Sequence, residues 1–122
     1  MAGDVSVNLA PQTSKLENST KTSFVYLVRS GQHLKIGRTK NVQARFLALQ
    51  NATPAKLRLI RYFEVPAEEV IGIEYEAMVT LKSQGYHVRG EWFSAPTDLA
   101  LRAIYQAIEA AKPNGKPIVT PA

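Results

Sequence analysis

Two short runs joined at a glycine constrain this chain more than any other feature of its sequence. Residues 24–29, FVYLVR, are β-branched and aromatic and read as a strand. Ser30-Gly31 follows, and then QHLKIG, in which polar and apolar residues alternate. Strand, two-residue turn and strand make a β-hairpin. With Ser30-Gly31 as the turn, Val28 stands opposite His33 and Tyr26 stands directly opposite Lys35, on one face of the sheet. That pairing is conditional on the turn, because a one-residue slip would break it.

The rest of the chain adds helices to this hairpin. Thr39 or Asn41 can cap a helix running to about Asn51, with Val42, Phe46 and Leu49 at helical spacing. Residues 56–63, KLRLIRYF, alternate as a third strand. Pro66 with Glu68 and Glu69 opens a longer helix that ends near Gly85. GEWF reads as a short strand, and Ser94–Asp98 begins a last helix to about Ala111. The expected fold is α/β (α+β): a small three-stranded, mainly antiparallel sheet flanked by helices, in the order β-β-α-β-α-β-α. The ends, 1–22 and 112–122, lack periodicity or are proline-rich and read as flexible tails around a domain at 23–111.

Composition narrows the function classes. Apolar residues make up 45% and charged residues 20% of the 122, which is ordinary globular usage and excludes wholesale disorder. The chain has no cysteine, so disulfides and thiolate zinc sites are excluded. No apolar run approaches the roughly 18 residues of a membrane span, and the first residues lack a signal peptide's apolar stretch. A cytoplasmic protein with no membrane partner is expected. The net charge of +5 is unevenly spread: between Asn18 and Phe63 lie nine bases and no acid. A half-domain this basic points to a polyanionic partner, whose counterions it would release. A solvated basic face without a partner is the plainer alternative.

Charges inside apolar stripes mark candidate functional positions. Arg45 follows Val42 by three residues and precedes Leu49 by four, on the inward side of the first helix. Glu74 lies four residues after Val70 and continues into Ala77, Met78 and Leu81. An unpaired charge in such a stripe needs a partner, a metal or a wet cleft. The two could also snorkel or pair with each other as a structural ion pair. Tyr26 is ordinary core filler by position, but opposite the Lys35 ammonium its phenol would ionise more readily. His33 and His87 are weak acid–base candidates. Trp92 and Phe93 read as core anchors, and Glu91 as a surface residue or one that reaches the cleft.

These residues also carry a family resemblance. Phe24-Val25-Tyr26, eight intervening residues, then Lys35-Ile36-Gly37-Arg38-Thr39 resembles the GIY-YIG endonuclease superfamily. The nearest likeness is to the phage and bacterial branch with a KIG(R/K)T second motif and a GEWF box, here Gly90-Glu91-Trp92-Phe93. The resemblance covers about residues 23–95 and implies a metal-dependent endonuclease that hydrolyses phosphodiester bonds in DNA. It implies Tyr26 as general base or relay and Arg45 as the group stabilising charge on the phosphorane. Lys35, in place of a second tyrosine, and Arg38 would position the phosphate. Glu74 would bind one divalent cation, Mg²⁺ or Mn²⁺. Arg29, His33 and Lys40 join Arg38 as expected nucleic-acid contacts. The alternatives are a nucleic-acid-binding module of the same fold with weak or no catalysis, and an unrelated α/β interaction protein. The oligomeric state is left open.

Overall fold

The computed structural model describes residues 21–111, so the expected tails at 1–22 and 112–122 lie outside the described residues except for Lys21 and Thr22. Thr22 already opens the first strand. In chain order the elements are β1 (Thr22–Ser30), β2 (His33–Thr39), α1 (Val42–Asn51), β3 (Arg58–Pro66), α2 (Ala67–Ser83), β4 (His87–Arg89), β5 (Trp92–Phe93) and α3 (Thr97–Ala111). The strands form one sheet in the order β3-β1-β2-β5-β4, with every pairing antiparallel.

This corrects the expected three-stranded sheet: it has five strands, and the element order is β-β-α-β-α-β-β-α. The reason lies in the segment after α2. All three residues of β4 are exposed, so no alternation of buried and exposed positions marks the strand. Gly90 and Glu91, read as the start of a strand, form the turn of a β4–β5 hairpin, and Gly90 takes a φ of 56° that other residues rarely adopt. Only Trp92 and Phe93 remain as β5, and Phe93 is the fully buried one.

The β1–β2 hairpin is present, but its turn is Gly31-Gln32. Gly31 has a φ of 61°. A two-residue hairpin turn needs positive φ at its first position, which Gly31 supplies without strain and Ser30 would not. The register moves accordingly: Ser30 pairs with His33, Val28 with Lys35 and Tyr26 with Gly37. Because pairing shifts by two positions, Tyr26 and Lys35 keep a common face but become diagonal neighbours.

β1 is covered on both sides, which explains its unbroken apolar run. Val25 and Leu27 join Leu34, Ile36, Phe63 and Val65 in the larger core under α2 and α3. Phe24, Tyr26 and Val28 face the other way and pack with Tyr62 and Val42, with Phe46 and Leu49 of α1 closing that side. Asn41 caps α1, its side chain accepting a hydrogen bond from the Ala44 N–H at 3.0 Å.

Candidate functional site

Tyr26 reaches the α1 side of the sheet from the middle of β1 and is almost wholly buried, 3% exposed. Its ring lies across Gly37 on the neighbouring strand. A Cβ built on Gly37 would collide with the phenol, with ring carbon Cε2 only 2.8 Å away. Gly37 is therefore needed for space rather than for an unusual backbone angle. An isolated glycine within a strand is the sequence signal for such a close approach.

Around the phenol is a polar pocket of about 250 Å³, lined by Tyr26, Lys35, Gly37, Arg38, Arg45, Leu49, Glu74 and Glu91. Of the expected site residues, the structure brings together Tyr26, Lys35, Arg38, Arg45 and Glu74. β5 pairs with β2 only at Leu34 and Lys35. The stretch of β2 beyond them leaves that edge of the pocket to side chains. Arg38 points from it toward α2 and binds Glu74, its Nη1 donating to Oε1 at 2.5 Å.

Glu74 is buried, and its partner is Arg38 rather than the Arg45 that a structural pair within the stripes would supply. Arg45 is exposed at the pocket mouth, so it carries no burial cost. Among the described residues it makes no ion pair, unlike Lys35 and Arg38. Lys35 is ion-paired with Glu91, which the β4–β5 turn carries into the pocket. By sequence alone Glu91 is a surface residue or one that reaches the cleft. Only the Gly90 turn, which depends on a strand the sequence does not announce, settles its place.

Burial pushes the Tyr26 phenol above its ordinary pKa of 10.0; Arg45 acts against this, while Glu91 and Glu74 reinforce it. This reverses the expectation that Lys35 eases its ionisation. Lys35 lies diagonal to Tyr26 and is matched with Glu91, so its charge is spent on a carboxylate. At neutral pH the phenol keeps its proton and can donate a hydrogen bond.

The remaining expected contacts lie elsewhere. Arg29 donates to Thr97 Oγ1 at 3.0 Å, to the Ala95 carbonyl at 2.7 Å and to the Gly31 carbonyl at 2.9 Å. These bonds tie the hairpin turn to the start of α3 and occupy the guanidinium. His33 is exposed beside the turn, and Lys40 is exposed between β2 and α1; neither lines the pocket.

Glu74 and Glu91 are the pocket's two carboxylates. Among the described residues no three His, Cys, Asp or Glu side chains gather as a metal cluster. Mg²⁺ commonly keeps several waters and takes one or two carboxylates plus phosphate oxygens. Such a donor set could hold a hydrated Mg²⁺ or Mn²⁺ shared with a phosphate, and it does not form an all-protein cage.

The fold and site are those of a small α+β domain with a cationic, carboxylate-bearing cleft. The chain belongs to the T5orf172 domain family, whose model matches residues 23–112. This overturns the GIY-YIG assignment. The FVY and KIG runs record a local packing need, a phenol lying across a glycine on the next strand, and that need alone does not define a family. No curated protein and no solved structure matches the chain. Family membership supports a nuclease-like or nucleic-acid-binding role. No helix among the described residues is long and apolar enough to cross a membrane.

Proposed function

We propose that the pocket hydrolyses phosphodiester bonds in DNA with the help of a divalent cation. The supporting observation is convergence: a buried phenol, three cations and a buried carboxylate, drawn from β1, β2, α1 and α2, line one open polar pocket. A phosphodiester is the ligand whose chemistry needs this mixture. The cations match its charge, and carboxylates hold two of them in place, Glu91 on Lys35 and Glu74 on Arg38.

Each side chain then has a stated task. A phosphate entering the pocket competes with Glu91 for Lys35 and with Glu74 for Arg38, so binding exchanges internal ion pairs for substrate contacts. Arg45, exposed and without an ion pair among the described residues, stabilises charge that grows on the phosphoryl oxygens as water adds to phosphorus and the bond to the leaving sugar oxygen breaks. Tyr26, held protonated, orients the attacking water or the phosphate by hydrogen bonding and relays a proton only as it accepts one. Held by Glu74, with Glu91 in reach, Mg²⁺ or Mn²⁺ would supply Lewis-acid polarisation of a phosphoryl oxygen. Leu49 gives the pocket its apolar wall.

One observation favours a second reading. Both carboxylates are engaged by bases, and no third ligand gathers with them among the described residues. That arrangement would equally serve a module that grips nucleic acid without cutting it. The test is incubation of the full chain with supercoiled plasmid and with single-stranded DNA, in Mg²⁺, Mn²⁺ or EDTA. Cutting that requires the metal is expected. Salt-sensitive binding with no cutting in either metal would install the second reading.

A further inference from the structure

The outer face of α2 carries a stripe that the described residues leave uncovered. Ile71 is 61% exposed, Tyr75 60% and Val79 39%, three of the five large exposed apolar side chains among the described residues. Their spacing of four residues sets them in one row along the helix. Exposed Glu68 precedes the row by three residues, and exposed Lys82 follows it by three. The row is therefore symmetric in chemistry about Tyr75: acid, aliphatic, aromatic, aliphatic, base. Gly72, beside Tyr75, has no atom within 4 Å of where a Cβ would stand. A glycine in a helix interior disfavours the helix, and nothing in the packing of the described residues requires one there.

We infer that this face binds a second copy of the chain, α2 against α2 in antiparallel orientation, about a two-fold axis at Tyr75. Such an axis places each residue against the one equally far beyond Tyr75 on the partner helix. Ile71 then meets Val79, Tyr75 meets its own counterpart, and Glu68 meets Lys82 at both ends of the stripe. The surface is thus self-complementary in charge as well as in shape, as a two-fold interface requires. A parallel arrangement would set Glu68 against Glu68. Gly72 leaves space next to the central ring for the partner's phenol. The stripe is about 21 Å long at 1.5 Å per residue. One helix face of that length falls short of the roughly 800 Å² per partner that a stable interface buries, so the dimer is weak and depends on concentration. The inference stands whether or not the pocket cuts DNA, since none of the stripe residues lines the pocket.

Sedimentation velocity on the full chain, from about 10 µM to about 1 mM, tests it. The weight-average mass should climb from 13.5 kDa toward twice that value. Glu68→Lys or Lys82→Glu alone should weaken association by about tenfold or more, and the double variant should restore it to within about threefold. Ile71→Glu should leave a monomer, with circular dichroism confirming that the helices persist. A monomer at every concentration, whether the face stays bare or another part of the chain covers it, would overturn the proposal. So would a dimer that ignores the single charge changes or is not rescued by the double one.

Discussion

Gly37 leaves the space that the Tyr26 ring fills, and two measurable consequences follow from that burial. Ala at position 37 would bring a methyl carbon into the phenol, and the ring has core on its other side. Gly37→Ala should therefore destabilise the fold by about 1–3 kcal/mol, as overpacked cores do, read from equilibrium denaturation. A neutral substitution would mean that Tyr26 has room to move. The second consequence concerns pH. The phenol's pKa is higher in the fold than its ordinary 10.0, so the fold prefers the protonated form. Its contribution is fully present below the unfolded value and is lost as pH rises through the folded one. Between about pH 9 and about pH 11 the wild type should lose more stability than Tyr26→Phe, compared by denaturation midpoints. Equal losses would show that burial does not hold the proton.

Elements with a buried side are the ones the sequence announces. α2 and α3 are legible because each buries one set of residues at helical spacing, and β1 is legible as an apolar run buried on both faces; Val70, Ala77 and Leu81 place Glu74 correctly on the buried side of α2. The hairpin register is not legible from alternation alone, because two turns that differ by one residue keep every side chain on its face. Positive φ at Gly31 decides between them. β4 is illegible for the opposite reason: nothing in it is buried. Missing it hides the route by which Glu91 enters the pocket, and with it the pairing that neutralises Lys35. Arg29 shows the converse limit, since no spacing reveals that its guanidinium is taken up by Thr97, Ala95 and Gly31. The β4–β5 hairpin should accordingly restrain binding of polyanions. Glu91→Gln frees Lys35 and removes a negative charge from the pocket. In EDTA at low salt it should bind DNA several-fold more tightly than wild type and add about one to the salt slope, measured by fluorescence anisotropy. Unchanged affinity would mean that phosphate does not reach Lys35.

At the scale of the whole molecule, the sheet separates two kinds of work. Its larger core, under α2 and α3, holds the domain together, while the α1 side and the open edge of β2 present the cations. α2 belongs to both, burying Glu74 at the pocket and turning Tyr75 outward. Not all nine bases of the Asn18–Phe63 segment reach the cleft; Lys35, Arg38 and Arg45 do. We propose that these three, with Tyr26 and Glu74, act on a phosphodiester. The most direct measurement is single-turnover DNA cleavage, with binding measured on the same preparations, for wild type, Arg45→Ala and Glu74→Ala. Arg45→Ala should still bind DNA yet cut about 10²–10³ times more slowly, the loss typical of one transition-state donor. Glu74→Ala should bind and not cut in Mg²⁺. A variant that cuts at the wild-type rate, or a wild type that binds DNA and never cuts it, would contradict the claim.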